Sequence, residues 1–192
     1  MITLDKVRNY NDLLQIKVLN EDNLKINLSQ QDQLKYGFVT LEYNIELLLK
    51  MNNIEKSIVV KEDNKVVGYA IVTNKTVYGL NKLFDDLIDR VKTLTYCHNN
   101  LSNVEYALVG QLCIKKDYRG KGLVKKIYEF YKQEYSKKYK YLITDIDERN
   151  KRSLSAHLKS GFQIIDNFYW GESYWNIILW DWNNQNIESY SS

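Results

Sequence analysis

The sequence predicts one domain of mixed α/β class (α+β mixed), and three features carry that expectation. β-rich runs alternate with amphipathic stretches, a hairpin pattern fills Ser57 to Val72, and a buried run from Tyr106 to Ile114 leads straight into a glycine loop and a helix. The 192 residues are 44% hydrophobic and 27% charged, which suits a single core over residues 1–182 with a polar tail over 183–192. At this length roughly 70% of the unfolded surface can be buried, so folding requires neither disulfides nor a structural metal. Cys97 and Cys113 read as free thiols.

Met1 to Val7 alternates as a strand, and Asn11 precedes a helical stretch to about Leu19. A helical zone spans Ser29 to Met51, with Leu41, Ile45, Leu48 and Leu49 at near-helical spacing after a break at Gly37, long enough to form a lid. Ser57 to Lys61 and Val66 to Val72 flank the turn residues of the hairpin. Leu80, Leu83, Phe84, Leu87, Ile88 and Val91 recur at three and four residues, the stripe of a core-facing helix. After the strand from Tyr106, a helix runs from Gly122 with Leu123, Ile127, Phe130 and Tyr131 inward. Tyr141 to Ile146 is a short strand, Asn150 opens a short helix stopped by Gly161, and Phe162 to Ile165 with Trp175 to Trp182 form a closing antiparallel pair.

No apolar run reaches membrane-spanning length and the start lacks a signal-peptide core, so the expected location is cytoplasmic with no membrane partner. The net charge of +3 is far from that of a nucleic-acid binder. Between Lys115 and Lys126, however, six basic residues face only Asp117, which reads either as an anion site or as a solvated helix face. A weak RNA or DNA binder built on that run would lose affinity steeply with salt, and no base-reading motif accompanies it. The histidines and cysteines lack metal-ligand spacing, and no metal is expected.

Two constellations bear on chemistry. Strand, then Asp117-Tyr118-Arg119-Gly120-Lys121-Gly122-Leu123-Val124, then helix places unpaired amides and a partial positive charge at a helix start, where glycine permits close approach of a pyrophosphate. The nucleotide P-loop and the dinucleotide fingerprint both fail here, because Gly122 follows Lys121 and Lys125 stands where a third glycine is needed. On the short helix, Asn150, Ser153 and His157 share one face by their spacing, with Leu154 and Leu158 turned to the core.

Together these residues resemble the GCN5-related N-acetyltransferase (GNAT) superfamily. Arg119-Gly120-Lys121-Gly122-Leu123-Val124 is similar to its acetyl-CoA motif Q/R-x-x-G-x-G/A, with Val124 at the last position. Asn150-x-x-Ser153-x-x-x-His157-x-x-x-Gly161-Phe162 is similar to N-x-x-S-x-x-x-Y-x-x-x-G-F, with histidine where many members have tyrosine. The resemblance implies a GNAT-like domain: a central mixed, mostly antiparallel twisted sheet of six or seven strands, flanked by about four helices and splayed between two central strands. It implies acetyl-CoA as co-substrate and direct transfer of the acetyl group to a primary amine in a ternary complex. Leu112, Cys113 and Ile114 would hold the acetyl carbonyl and pantetheine, Arg119 to Val124 the pyrophosphate, and Asn150 and Ser153 the pantetheine arm. His157 falls at the general-acid position and Asp145 near a base position, with Glu105 as the fallback base.

Tyr36, Phe38 and Tyr43, facing Phe168, Tyr169 and Trp170, would wall an acceptor site for an apolar or cationic amine. The acceptor is a small-molecule amine or a protein amine, and the protein a monomer or homodimer. A catalytically silent CoA-binding domain, or a protein N-terminal or lysine acetyltransferase, stands as the alternative.

Overall fold

A computed structural model describes residues 1–183, so the polar tail expected over 183–192 lies outside the described residues except at Asn183. Along the chain, β1 (Ile2–Lys6) leads to α1 (Tyr10–Glu21), α2 (Gln30–Tyr36) and α3 (Ile45–Ile54). Then come β2 (Ile58–Glu62), β3 (Lys65–Asn74), α4 (Lys82–Lys92) and a small hairpin, β4 (Thr95–Tyr96) with β5 (Asn99–Asn100). The rest is β6 (Tyr106–Ile114), α5 (Leu123–Tyr135), β7 (Tyr141–Asp147), α6 (Lys151–Leu158), β8 (Gln163–Trp170) and β9 (Ser173–Asp181). Seven strands form one sheet in the order β1-β2-β3-β6-β7-β9-β8. Every neighbouring pair is antiparallel except β6 with β7.

Local chemistry accounts for most boundaries. The β2–β3 turn uses Asp63 and Asn64 at φ 48° and 66°, side chains that tolerate the left-handed region a two-residue hairpin needs. Asn81 caps α4 by accepting from the Leu83 amide at 2.9 Å. Two expectations from spacing need correcting. Asn9, not Asn11, caps α1, accepting from the Asp12 amide at 3.1 Å. The zone from Ser29 to Met51 is two helices: α2 ends at Gly37, whose φ of 75° breaks the helix, and Asn44 starts α3. Leu41, read as part of a helix face, lies in the extended stretch between them.

The sheet is packed on both faces. One core joins Ile16 of α1, Met51 of α3 and Ile88 of α4 to Tyr69, Leu108 and Ile143. The other joins Ile127 and Tyr131 of α5 to Val72, Leu142 and Ile178. Fully burying side chains of this size contributes roughly 1.5–3 kcal/mol each. Phe130, expected inward, is only half-buried, and Tyr128 takes the inner place.

Gly161 is fixed by geometry rather than by flexibility. Its φ is 104°, and an added β-carbon would lie 2.6 Å from Trp180 Nε1. Gly161→Ala therefore combines backbone strain with a clash against a packed ring, and is expected to cost roughly 3 kcal/mol or more, lowering Tm by roughly 6–12 °C. Thermal unfolding checks this; a shift below a degree or two would mean that Trp180 yields freely.

Two features of β6 create the site. β6 and β7 pair only from Tyr106–Tyr141 to Leu108–Ile143, and then part. The register against β3 slips between Ile71 and Val72, making Gly110 the extra residue of a bulge. A β-carbon there would meet the Tyr43 hydroxyl at 3.0 Å and Phe84 at 3.1 Å, so glycine lets these two rings close over the strand without displacement.

Candidate active site

Where β6 leaves its neighbour, a cleft of about 650 Å³ opens between the β6 end, α5, α6 and the segment from Tyr36 to Val39. One wall is the loop after β6. Gly120 and Gly122 stand at φ 75° and 73°, with nothing within 4 Å of where a β-carbon would be. Gly122 begins α5 without a side-chain cap, and no acceptor in the described chain meets the amides from Gly120 to Lys125. These unpaired donors, at the positive end of a helix dipole and open to the cleft, fit an anion of the size of a pyrophosphate. Leu112, Cys113 and Ile114 line the cleft next to them, as do Leu123 and Val124. Burial pushes the Cys113 thiol up to about 12, so it is a neutral wall, not a nucleophile.

Three residues expected to touch a bound cofactor have contacts within the chain, and two of them, Arg119 and Asn150, also line the cleft. The Arg119 guanidinium is spent on the protein: Nε donates to the Ile114 carbonyl at 2.8 Å, Nη1 to the Tyr36 carbonyl at 3.4 Å, and Nη2 to Asn23. Asn150 Oδ1 accepts from the Ser153 amide, and its Nδ2 donates to the Phe38 carbonyl at 2.8 Å. Both residues therefore pin the segment around α2 against the cleft. Lys121 does not line it, since its ammonium lies 5.0 Å over the Tyr118 ring. Tyr36, read as part of the acceptor wall, lies on the donor side beneath Lys116 and Arg119, at 4.7 and 5.7 Å. Asn23, Arg152 and Ser155 also line this cleft and were not singled out from the sequence. No local pattern marks Asn23, which is 96 residues from the arginine it receives.

A second, smaller recess of about 70 Å³ adjoins the cleft. Phe38, Val39, Leu112, Asn150, Ser153 and His157 line both cavities. Asp145 lies in the recess, its Oδ2 buried without a hydrogen-bond partner, and burial pushes its pKa up to about 7. Its neighbour Asp147 behaves in the opposite way. Burial alone would raise it, but hydrogen bonds from Arg149 and Ser173 hold that carboxyl at about 2.

His157 lines both cavities yet is largely buried. It is 5% exposed, edge-on to Tyr128 and Phe162, while Leu158, expected inward, is 40% exposed. Burial pushes its pKa down to about 4. Nδ1 lies 2.8 Å from the Ser153 carbonyl, which can only accept. The neutral ring therefore carries its proton on Nδ1 and leaves Nε2 as a bare acceptor.

Other aromatic expectations move as well. Phe168 lines neither cavity, and Trp175, its cross-strand partner, lines the recess instead. Tyr169 is exposed and stacked on Tyr174, and Trp170 donates to Asp86 at 2.5 Å. Glu105 precedes β6 at the end opposite the splay and pairs with Lys75, so it is remote from Asp145. Among the described residues no cluster of His, Cys, Asp and Glu could hold a metal, and no helix is long and apolar enough to cross a membrane.

The profile of the acetyltransferase (GNAT) family matches residues 28–162, which spans the α2 segment, the glycine loop and α6. The chain belongs to the GNAT acetyltransferase family. No curated protein sequence matches it. This GNAT chain is similar in fold to a GNAT-family acetyltransferase of Streptococcus agalactiae, at 19% identity and TM-score 0.63, covering 94% of this chain and 95% of that one. It is also similar to the ribosomal-protein-S18-alanine N-acetyltransferase of Escherichia coli, at 12% identity and TM-score 0.62, covering 98% and 100%. A putative acetyltransferase of Salmonella typhimurium with its cofactor acetyl-CoA aligns at 12% identity and TM-score 0.59, covering 99% of both chains. The seven-stranded, mostly antiparallel sheet with its splay is the architecture expected for a GNAT domain, with six α-helices in place of about four.

Proposed function

We propose that the protein transfers the acetyl group of acetyl-CoA directly to a primary amine bound with it in a ternary complex. The observation that carries this reading is the union of two cavities at the β6–β7 splay: a donor cleft floored by unpaired amides, and a recess that ends at an unpartnered carboxyl. The amides from Gly120 to Lys125 hold the pyrophosphate, and the free edge of β6 at Leu112 to Ile114 positions the pantetheine arm and the acetyl carbonyl. Asp145 takes one proton from the incoming ammonium, and the free nitrogen attacks the acetyl carbon. The C–N bond forms, the C–S bond breaks, and a second proton passes from that nitrogen to the departing sulfur.

His157 has no part as an acid here. With its proton on Nδ1 and a pKa near 4, it offers Nε2 as an acceptor at the junction of the cavities. The pH dependence follows. The base must be ionised, so kcat/KM rises as pH increases through about 7. A histidine acid of ordinary pKa would add a fall above about 6.5, which is not expected. A pH profile of kcat/KM, read as thiol release over a panel of amines, tests both parts; a bell centred near neutrality would restore His157 as the acid. If acetyl-CoA protects against heat but no amine releases thiol, the catalytically silent reading replaces transfer. A protein amine is the second reading for the acceptor, supported by the likeness to the ribosomal-protein-alanine acetyltransferase.

A further inference from the structure

The recess beside Asp145 is selective in its chemistry, and the selection bears on which amine enters; the argument rests on the transfer reading above. Its walls are the apolar side chains of Phe38, Leu41, Leu83 and Trp175. Several other polar side chains lining it are engaged, while Thr40 is exposed at its edge. Thr144 Oγ1 donates to the Val109 carbonyl at 2.8 Å, and Gln111 Nε2 donates to the Leu41 carbonyl at 3.0 Å while its Oε1 accepts from Asn20 at 2.8 Å. Asp147 is bound by Arg149 and Ser173. Ser153 and His157 line both cavities and so belong to the junction with the donor cleft.

Two buried polar atoms remain without partners at this point, Asp145 Oδ2 and the Tyr43 hydroxyl. The hydroxyl lies 3.0 Å from the position a β-carbon would take on Gly110, and Gly110 and Asp145 both line the recess. Burial, and then the charge of Asp145, push the phenol well above its ordinary value, so it stays neutral. Native interiors rarely leave two neighbouring polar atoms without a partner, and a ligand or an ordered water satisfies them. The recess of about 70 Å³ has room for roughly five water-sized groups. Apolar side chains along part of its wall and an unpartnered carboxyl oxygen beside them suit a methylene chain tipped by nitrogen. A peptide α-amine carries a branch and a carbonyl next to its nitrogen, which would have to lie against the apolar wall of Phe38, Leu83 and Trp175.

We propose that this recess takes the end of an unbranched aminoalkyl chain, that Asp145 and Tyr43 together receive its nitrogen, and that the acceptor is an ω-amine. A free alkylamine and a lysine side chain share that chemistry.

The test compares n-butylamine, tert-butylamine, alaninamide and a lysine peptide with a blocked N-terminus, using both thiol release and heat protection in the presence of CoA. Butylamine or the lysine peptide is expected to exceed alaninamide and tert-butylamine by roughly tenfold or more in kcat/KM, and the ratio of the first two separates a free amine from a protein. Tyr43→Phe removes a hydroxyl that has no partner, so it folds with unchanged or higher Tm. It is expected to raise KM for butylamine roughly tenfold with a smaller change in kcat, the loss of one hydrogen bond to a charged group. Equal use of alaninamide, or a KM unmoved by Tyr43→Phe, overturns the proposal. If wild-type protein releases no thiol with any amine, the transfer reading fails, and the protection arm still decides the recess. Butylamine protecting wild type but not Tyr43→Phe keeps the aminoalkyl site; no protection removes it.

Discussion

Asp145→Asn is expected to lower amine-dependent kcat/KM by roughly 10²–10⁴-fold, the usual contribution of a positioned general base, while heat protection by acetyl-CoA is unchanged. The amide fills the same space in the recess but cannot take a proton. The rise of rate through pH about 7 should vanish with it, since that limb belongs to this carboxyl. Stability moves the other way. A buried acid with a raised pKa penalises its charged form, so the wild-type fold loses stability as pH climbs from the ordinary aspartate range to about 7. The variant escapes that penalty and should have the higher Tm at mildly alkaline pH, the signature of a residue kept for chemistry at the expense of the fold. A variant that retains activity within a few-fold, or that melts earlier than wild type at alkaline pH, would remove Asp145 from the mechanism.

Gly122→Val should do the converse, sparing the acceptor side and crippling the donor side. Its φ of 73° costs a β-branched residue roughly 1–2 kcal/mol, and open space around the position lets the fold absorb that. What the fold cannot absorb is a branched side chain standing over the amides at the start of α5. Losing two charge-assisted hydrogen bonds to a phosphate corresponds to roughly 3 kcal/mol, about 10²-fold in Kd for acetyl-CoA. Calorimetric titration measures it, and a Kd within threefold of wild type would move the pyrophosphate elsewhere.

Much of this architecture could be read from local pattern. The β2–β3 hairpin announces itself through alternating apolar residues around Asp63 and Asn64, and α4 through a stripe that needs no distant partner to be seen. The β6 strand, glycine loop and α5 are contiguous, so this wall of the cleft was legible as a unit. What stayed hidden is non-local. Spacing shows that Asn150, Ser153 and His157 share a face of α6, but not that the imidazole is drawn inward by Tyr128 and Phe162. Arg119 reads as a phosphate ligand, and spacing cannot show that its guanidinium also donates to the Tyr36 carbonyl and the side-chain oxygen of Asn23 from across the fold. Phe168 and Trp175 are cross-strand partners, and only the pairing decides which of them reaches the recess.

The short contact between β6 and β7 has a mechanical meaning. Three residue pairs, Tyr106–Tyr141 to Leu108–Ile143, stitch a four-stranded half of the sheet to a three-stranded half. So short a pairing leaves the two halves joined along a narrow seam, and the cleft and the recess both lie at its open end. On the proposed function, a pantetheine arm in that wedge would supply the pairing that β7 no longer gives β6, so donor binding would brace the joint beside which the amine is to be placed.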